Sequence, residues 1–552
     1  MVAFRVAHPC PFVGSFNNSS YPCYNLAQYA INVGDVTSMV AFINTIPSHE
    51  RTMSELGRSP PSPSTALPDP AESENVLYNP SLSTLRALST HQEQLTEFGA
   101  PAYVSEQRSR AANRTKNAID DDFNSSDHRL VDAALRYARQ HRMVCLDRRV
   151  GRHPDLSFTC RYYVPGEQAR IALALANLLE PATPQSSPDF LTVQVPDWED
   201  VGIRVFPDAG VTAVLGSDYT GEAKKSFLRL FMYRAKQRGG LGLHAGSKRV
   251  TFGAKQEAVG QLFLGLSATG KSTLTAHDLQ LSDPDAAWMV QDDVCALLRD
   301  GTVAGSEGNG LYVKTIGLDR DEQPALYEAV THESSILENV EVDPQGSVDF
   351  EGDRYTANGR ATIRREHLAS ANEDIDLSTV DQVFFITRHP HMPPVVKLAP
   401  HEAAAAFMCG ESIETSAGDP SRAGEPVRVV GTNPFIIGDK GEEGNRFLAL
   451  LQDLDVDAFV LNTGSIGPNG KDITVDDSVT LIRKIARNTV DWHEADSSGY
   501  TVPRSVPGMD ISEFAVEAYV PDYTSRIEEL RRERRRYLEV FDTLNDEIKA
   551  GF

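Results

Sequence analysis

The stretch Gly265-Leu-Ser-Ala-Thr-Gly-Lys-Ser272 constrains this chain more than any other, because it satisfies G-x-x-x-x-G-K-[ST], a loop that cradles phosphates. The apolar run at 258–264, Ala-Val-Gly-Gln-Leu-Phe-Leu, predicts a short buried strand before it, and 272–276 predicts the start of a helix after it. Strand, loop and helix in that order aim backbone N–H groups and the positive helix end at one anion. Gly265 and Gly270 let the backbone turn inward, Lys271 reaches the β- and γ-phosphates, and the Ser272 hydroxyl can ligate Mg²⁺. Ser267, Ala268, Thr269 and Thr273 complete the predicted nucleotide-binding loop.

The rest of the composition removes several function classes. The 552 residues carry 77 acidic and 53 basic side chains, a net charge of −24, which argues against nucleic acid or an anionic membrane as the partner. Only 13 of the basic residues are Lys and 40 are Arg. Such a surface suits high salt, and a GC-rich genome yields the same bias; the halophilic reading is slightly preferred. The six cysteines (Cys10, Cys23, Cys145, Cys160, Cys295, Cys409) show no C-x-x-C spacing, so neither a zinc site nor a disulfide framework is expected, and reduced thiols fit a cytoplasmic protein. No apolar run approaches the ~18 residues of a membrane span, and the N-terminus lacks the order of a signal peptide.

Residues 1–74 read as an N-terminal extension with a Pro/Ser linker from Pro60 to Pro70, expected to be poorly ordered, with Met53 a candidate true start. From 75 to 250, helical and strand signals alternate: a helix around 130–138, strands at 143–146 and 211–215, and a helix over 221–238. The region 251–520 adds strands at 287–290, 383–387 and 457–461. Residues 521–552 are expected to form one helix with the apolar stripe Ile527, Leu530, Tyr537, Phe541, Leu544 and Ile548. The run 531–536 would lie on its solvated face. The fold class is α/β.

Three further segments decide the chemistry. Asp292-Asp293 follows the strand expected at 287–290, where an acid can hold the nucleotide's metal; a loop acid or helix cap is the bland alternative. Tyr219-Thr-Gly-Glu-Ala-Lys-Lys225 enters a helix with two adjacent lysines, which alone would pass for surface residues. His244 stands in Gly242-Leu-His-Ala245, and a lone His among apolar residues is more often structural.

Together these segments resemble the ATP-dependent phosphoenolpyruvate carboxykinases. Further matches follow in order: Tyr312-Val-Lys-Thr-Ile-Gly-Leu318, Leu337-Glu-Asn-Val340, Asn358-Gly-Arg360, Pro393-Pro-Val395, Asn462-Thr-Gly464 and Val506-Pro-Gly-Met-Asp510. The resemblance runs from about 75 to about 520. It implies a two-lobed fold with a substrate-binding domain at 75–250, a nucleotide- and metal-binding domain at 251–520, and the active site in the cleft between them. It implies ATP, Mn²⁺ and Mg²⁺ as cofactors, with Lys225, His244 and Asp293 on Mn²⁺ and Ser272 on Mg²⁺. It places Tyr219, Lys224, Lys271, Arg360, Asp292 and Ser267 around the reacting groups, and Glu338, Arg360 and Ser478 with the nucleotide. An N-terminal arginine is expected as well. Arg108-Ser-Arg-Ala-Ala-Asn-Arg-Thr-Lys116 holds its place in the order; Arg110 is chosen and Arg114 kept in reserve.

The implied reaction converts oxaloacetate and ATP into phosphoenolpyruvate, CO₂ and ADP, carried out by a monomer with small-molecule partners only. Loss of CO₂ leaves an enolate, and its oxygen attacks the γ-phosphoryl group. Lys225 can ligate a metal only as a neutral amine, and Arg110 and Arg360 suit bidentate carboxylate binding. Departures from the family pattern are Ala268 for a glycine, Val294-Cys-Ala-Leu297 after the aspartate pair, Lys248 for an asparagine and Asp472 near the adenine position. A kinase with another acceptor, or a silent nucleotide-binding relative, are the alternatives.

Overall fold

The computed structural model describes residues 62–552 apart from 109–110, 184–186, 254–256, 267–268, 322, 414–424 and 468–469. Arg110, Ser267 and Ala268 therefore lie outside the described residues, as does the Met53 start. The strand expected at 258–264 runs Glu257–Gly265 and belongs to an eight-stranded sheet. Its order is 286–291, 245–252, 257–265, 382–387, 457–462, 395–398, 501–505 and 491–494. Glu257–Gly265, Gln382–Thr387 and Asp457–Asn462 pair in parallel. Parallel strands are covered on both faces, which explains their near-continuous apolar runs. On one face Phe263, Phe384 and Phe459 stack at successive centroid distances of 5.2 Å and pack on Leu274, Val479 and Ile482. On the other, Leu262, Leu264 and Phe385 meet Met408 and Phe447 from the helices Pro400–Cys409 and Lys440–Leu454.

A second eight-stranded sheet is built wholly from residues 76–215. The helix Ser125–Gln140, capped by Asn124 and Asp127, covers one face through Val131, Ala134 and Leu135. Helices Ala169–Leu178 and Thr220–Gln237 cover the other through Ile171, Leu175, Phe227 and Phe231. A five-stranded sheet, ordered 310–314, 360–364, 336–338, 101–103 and 94–95, joins segments from both halves of the sequence. It carries Tyr312, Arg360 and Glu338.

Two expectations are corrected. The last 30 residues are not one helix: Tyr523–Leu538 stops, and a short helix follows at Asp546–Lys549. The chain turns because Asn545 N–H is taken by Asn445 Oδ1, while Leu544 and Ile548 enter the same core as Phe447. Nor is the whole 531–536 run solvated. Arg534 is 5% exposed and pairs with Glu411 at 2.7 Å, so one guanidinium of the run is a core ion pair. Ala66 and Leu67, within the Pro/Ser segment, are buried against Val131 and Leu135. Cys145, Cys160, Cys295 and Cys409 are buried free thiols, and among the described residues no helix is long and apolar enough to cross a membrane.

Lys248 is fully buried between strands, its ammonium donating to His277 O at the end of the loop helix. Burial pushes its pKa down to about 7. Between pH 7 and the ordinary lysine value of 10.5, the unfolded chain holds a proton that the folded chain releases, so this residue's contribution to stability rises with pH across that window. Lys248→Met is expected to stabilise the protein by roughly 1–4 kcal/mol near and below pH 7, with the gain shrinking toward pH 10. Urea melts at pH 6 and pH 9 check this; an equal gain at both would contradict it.

Candidate active site

The loop geometry follows from two glycines. A Cβ on Gly265 would lie 2.5 Å from Thr269 Oγ1, and Gly270 has φ 91°, a left-handed conformation that starts the helix Lys271–Ala276. Thr269 Oγ1 donates to Leu266 O at 2.8 Å, and Thr463 Oγ1 donates to Thr269 O at 2.7 Å, anchoring the loop to the end of a parallel strand. Lys271 Nζ is buried and has no hydrogen-bond partner among the described residues. Burial lowers its pKa. An orphaned buried ammonium is costly and fits a site that receives anionic oxygens. Ser272 and Thr273 follow on the same helical turn. Asp292 is buried, close enough for its charge to act on Lys271.

The second cluster is assembled by three elements. Thr220–Gln237 presents Lys224 and Lys225 on its second turn. Gly221 is required there: a Cβ would meet the Tyr219 ring at 2.3 Å. Leu241–Leu243 pairs with Cys295–Leu297, which brings His244 against Asp293. Lys225 Nζ contacts Asp293 Oδ2, Lys224 Nζ lies 2.8 Å from the same oxygen, and His244 Nε2 lies 3.0 Å from Asp293 Oδ1. Lys225 and His244, two of the residues expected on Mn²⁺, thus meet at the carboxylate of the third, Asp293.

The protonation pattern suits a cation. Burial, and then the Lys271 charge, push His244 down to about 4, so the ring is neutral at pH 7. Its Nδ1 donates to Thr432 O at 2.6 Å, which leaves the Nε2 lone pair facing a carboxylate oxygen. Two acceptors at contact call for a cation between them. Burial, with Lys224 adding to it, pushes Lys225 down to about 8, within reach of a neutral amine. Burial also opposes the charge on Lys224, but Asp293 and Glu307, the latter at 3.0 Å, outweigh it and raise its pKa. The adjacent lysines are thereby pushed in opposite directions. Lys225, His244 and Asp293 therefore fit a divalent ion. Among the described residues no three His, Cys, Asp or Glu side chains form a metal group, so the amine is essential to this fit.

A third set lies beside them. Arg360 Nη2 donates to Asn358 Oδ1 at 2.8 Å, and its guanidinium stands 5.4 Å from the Tyr312 ring centroid. Asn358 Nδ2 donates to Tyr219 OH at 3.2 Å and to Arg108 O at 2.9 Å. The Arg108 guanidinium donates to Asn339 Oδ1 at 2.7 Å. Arg108 is thus joined to Tyr219 and Arg360 through Asn358, whereas Arg114 is exposed, its carbonyl accepting from Arg204. Ser478 Oγ donates to Thr474 O at 3.1 Å within its own helix. Glu338 bonds to Thr220, Tyr312 and Arg170.

Sequence reasoning passed over Arg108, Gly221, Glu307, Thr432 and Phe435. The Phe435 ring lies 4.8 Å from Lys225 Nζ and edge-on to His244. Thr432 and Phe435 sit 188 and 191 residues beyond His244, in a segment with no motif to mark them.

An α/β sheet ending in a glycine-rich loop, whose lysine has no hydrogen-bond partner among the described residues, beside an amine–imidazole–carboxylate cluster, offers the groups that a polyphosphate and a divalent cation together would need. The family profile described as phosphoenolpyruvate carboxykinase matches residues 74–512. The chain is 36% identical over 476 residues to the phosphoenolpyruvate carboxykinase (ATP) of Aeropyrum pernix, covering 84% of this chain and 94% of that protein. It is 28% identical over 311 residues to the phosphoenolpyruvate carboxykinase (ATP) of Mesorhizobium japonicum and to that of Bradyrhizobium diazoefficiens, covering 54% of this chain and 55% of each relative. The chain belongs to the phosphoenolpyruvate carboxykinase family.

Proposed function

We propose that this chain converts oxaloacetate and ATP to phosphoenolpyruvate, CO₂ and ADP. The observation that carries the reading is the meeting of Lys225 and His244 at the Asp293 carboxylate, with a buried loop lysine that has no hydrogen-bond partner among the described residues. Lys225, His244 and Asp293 would hold Mn²⁺, and Ser272 would hold Mg²⁺. A bound divalent ion supplies Lewis-acid polarisation and neutralises phosphate charge. The protein's own work is orientation: Arg360, Tyr219 and Lys224 hold the dicarboxylate, and Lys271 holds the γ-phosphoryl oxygens in line with the attacking oxygen. The C–C bond to the leaving CO₂ breaks, its electron pair forms the enolate, and the enolate oxygen displaces ADP at phosphorus.

The second substrate arginine is Arg108 in this reading, in place of Arg110. Asn358 bridges the Arg108 backbone carbonyl and the Tyr219 hydroxyl, which supports that assignment. Arg108→Ala should raise the KM for oxaloacetate roughly tenfold to a hundredfold, with ATP affinity unchanged and Arg114→Ala near wild type. An Arg114 effect larger than that of Arg108 would reverse the assignment. Two lobes, 75–250 and 251–520, with the site between them, a monomeric state, a cytoplasmic location and no nucleic-acid partner complete the proposal. The test is a coupled assay with oxaloacetate, Mn²⁺ and either ATP or GTP. Oxaloacetate-dependent ADP release supports the reading. ADP release only with another acceptor, or ATP binding with no turnover, would overturn it.

A further inference from the structure

We propose that Glu338 is a positioning residue that fixes the substrate-gripping groups from behind, and that it is not a nucleotide ligand. The proposal rests on the oxaloacetate reading above. Glu338 is 4% exposed. Its Oε1 accepts from the Thr220 backbone N–H and hydroxyl, both at 3.1 Å, and lies 3.4 Å from Arg170 Nη1. Its Oε2 accepts the Tyr312 hydroxyl. The space left beside it is a cavity of about 10 Å³ lined by Tyr103, Arg170, Thr220, Tyr312 and Thr362, enough for about one water and for no part of a nucleotide.

Those bonds reach Tyr219, Lys224 and Arg360, three of the groups expected to hold the dicarboxylate. Thr220 is the first residue of the helix that carries Lys224 and Lys225, and it follows Tyr219 directly. Glu338 pairs in antiparallel register with Arg360. The Tyr312 ring, fixed by its hydroxyl, lies 5.5 Å from Lys224 Nζ, 5.4 Å from the Arg360 guanidinium and 6.2 Å from the Tyr219 ring. One carboxylate therefore sets a helix start, a strand and an aromatic platform together, with Arg170 as counter-charge. Arg170 in turn holds Asp218 at 2.6 Å. A displacement of about 1 Å in such groups costs on the order of a hundredfold in rate.

The test compares Glu338→Gln and Tyr312→Phe with wild type, using calorimetric titration of Mn²⁺–ATP and of oxalate as a dicarboxylate probe, alongside turnover. Glu338→Gln should weaken oxalate at least tenfold and lower kcat at least tenfold, with ATP affinity within twofold of wild type. Tyr312→Phe, which deletes a single hydroxyl, should shift the same quantities in the same direction by less. ATP affinity lost while oxalate binding holds, in either variant, overturns the proposal, as do two variants indistinguishable from wild type. Should Glu338→Gln fail to fold, Tyr312→Phe alone decides by the same criteria. A wild-type protein that neither binds oxalate nor consumes oxaloacetate overturns the reading on which the proposal stands, whatever the variants do.

Discussion

Lys271→Ala is expected to lower kcat roughly 10²–10³-fold without lowering the thermal stability of the ligand-free protein. The two outcomes have one cause. Lys271 Nζ is buried with no partner among the described residues, and burial depresses its pKa. Holding a buried ammonium there without a hydrogen-bond partner costs stability in the ligand-free state, even with the Asp292 and Asp293 charges nearby. The same group is needed only when phosphoryl oxygens arrive. Removing it therefore relieves the fold and disables the chemistry. Single-turnover kinetics with oxaloacetate, together with a calorimetric melt, test both halves. Activity above about a hundredth of wild type, or a clear fall in Tm, would contradict this account of the loop lysine.

Asp293→Asn is expected to damage both. Burial would raise the Asp293 carboxyl, yet Lys224 and Lys225 hold it well below the usual carboxylate range, so it is ionised at any working pH. It is the shared counter-charge for two buried amines and faces the His244 lone pair. An amide cannot neutralise either lysine. Breaking a buried charge pair on one side costs about 3–5 kcal/mol; Glu307, still 3.0 Å from Lys224, should hold the loss to the lower end. Mn²⁺ affinity should fall by more than the 10–100-fold typical of losing an outer partner of a metal ligand. Manganese titration followed by electron paramagnetic resonance, with a urea melt on the same sample, reads both. An unchanged Mn²⁺ titration would remove Asp293 from the cation site. Opposite stability signs for Lys271→Ala and Asp293→Asn separate an anion-receiving group from a charge-balancing one.

Much of the site is legible in the one-dimensional pattern, for reasons specific to each residue. The strand, the glycines and the helix start around 265–272 were readable because such a turn is a local structure, with a positive φ at Gly270 and no room for a Cβ at Gly265. The strands expected at 211–215 and 383–387 were readable because two-faced burial makes them continuous apolar runs. The C-terminal region misled because helical spacing continues through Phe541, Leu544 and Ile548, while Asn445 and Asp439, about a hundred residues earlier, capture the turn between the two helices. Arg534 misled in the same way: Glu411, its partner, is 123 residues away. Letters alone cannot distinguish Arg108 from Arg110 and Arg114, and Arg110 lies outside the described residues. Only Asn358, 250 residues on, marks Arg108.

By itself the sequence determined the α/β class, the strand and helix start that flank the glycine-rich loop, and the ordered motifs that carry Lys225, His244, Asp293 and Arg360. Each of these depends on residue type and short spacing, which backbone sterics and periodic burial translate directly into local structure. Only the tertiary structure decided which lysine of the pair is pushed up in pKa and which down, which nitrogen of His244 is left open, and that Glu338 faces the lysine helix. Those outcomes depend on burial and on the distances to Glu307, Thr432, Tyr312 and Arg170. Electrostatic energies in a desolvated interior turn on ångströms between chain segments that lie far apart in sequence.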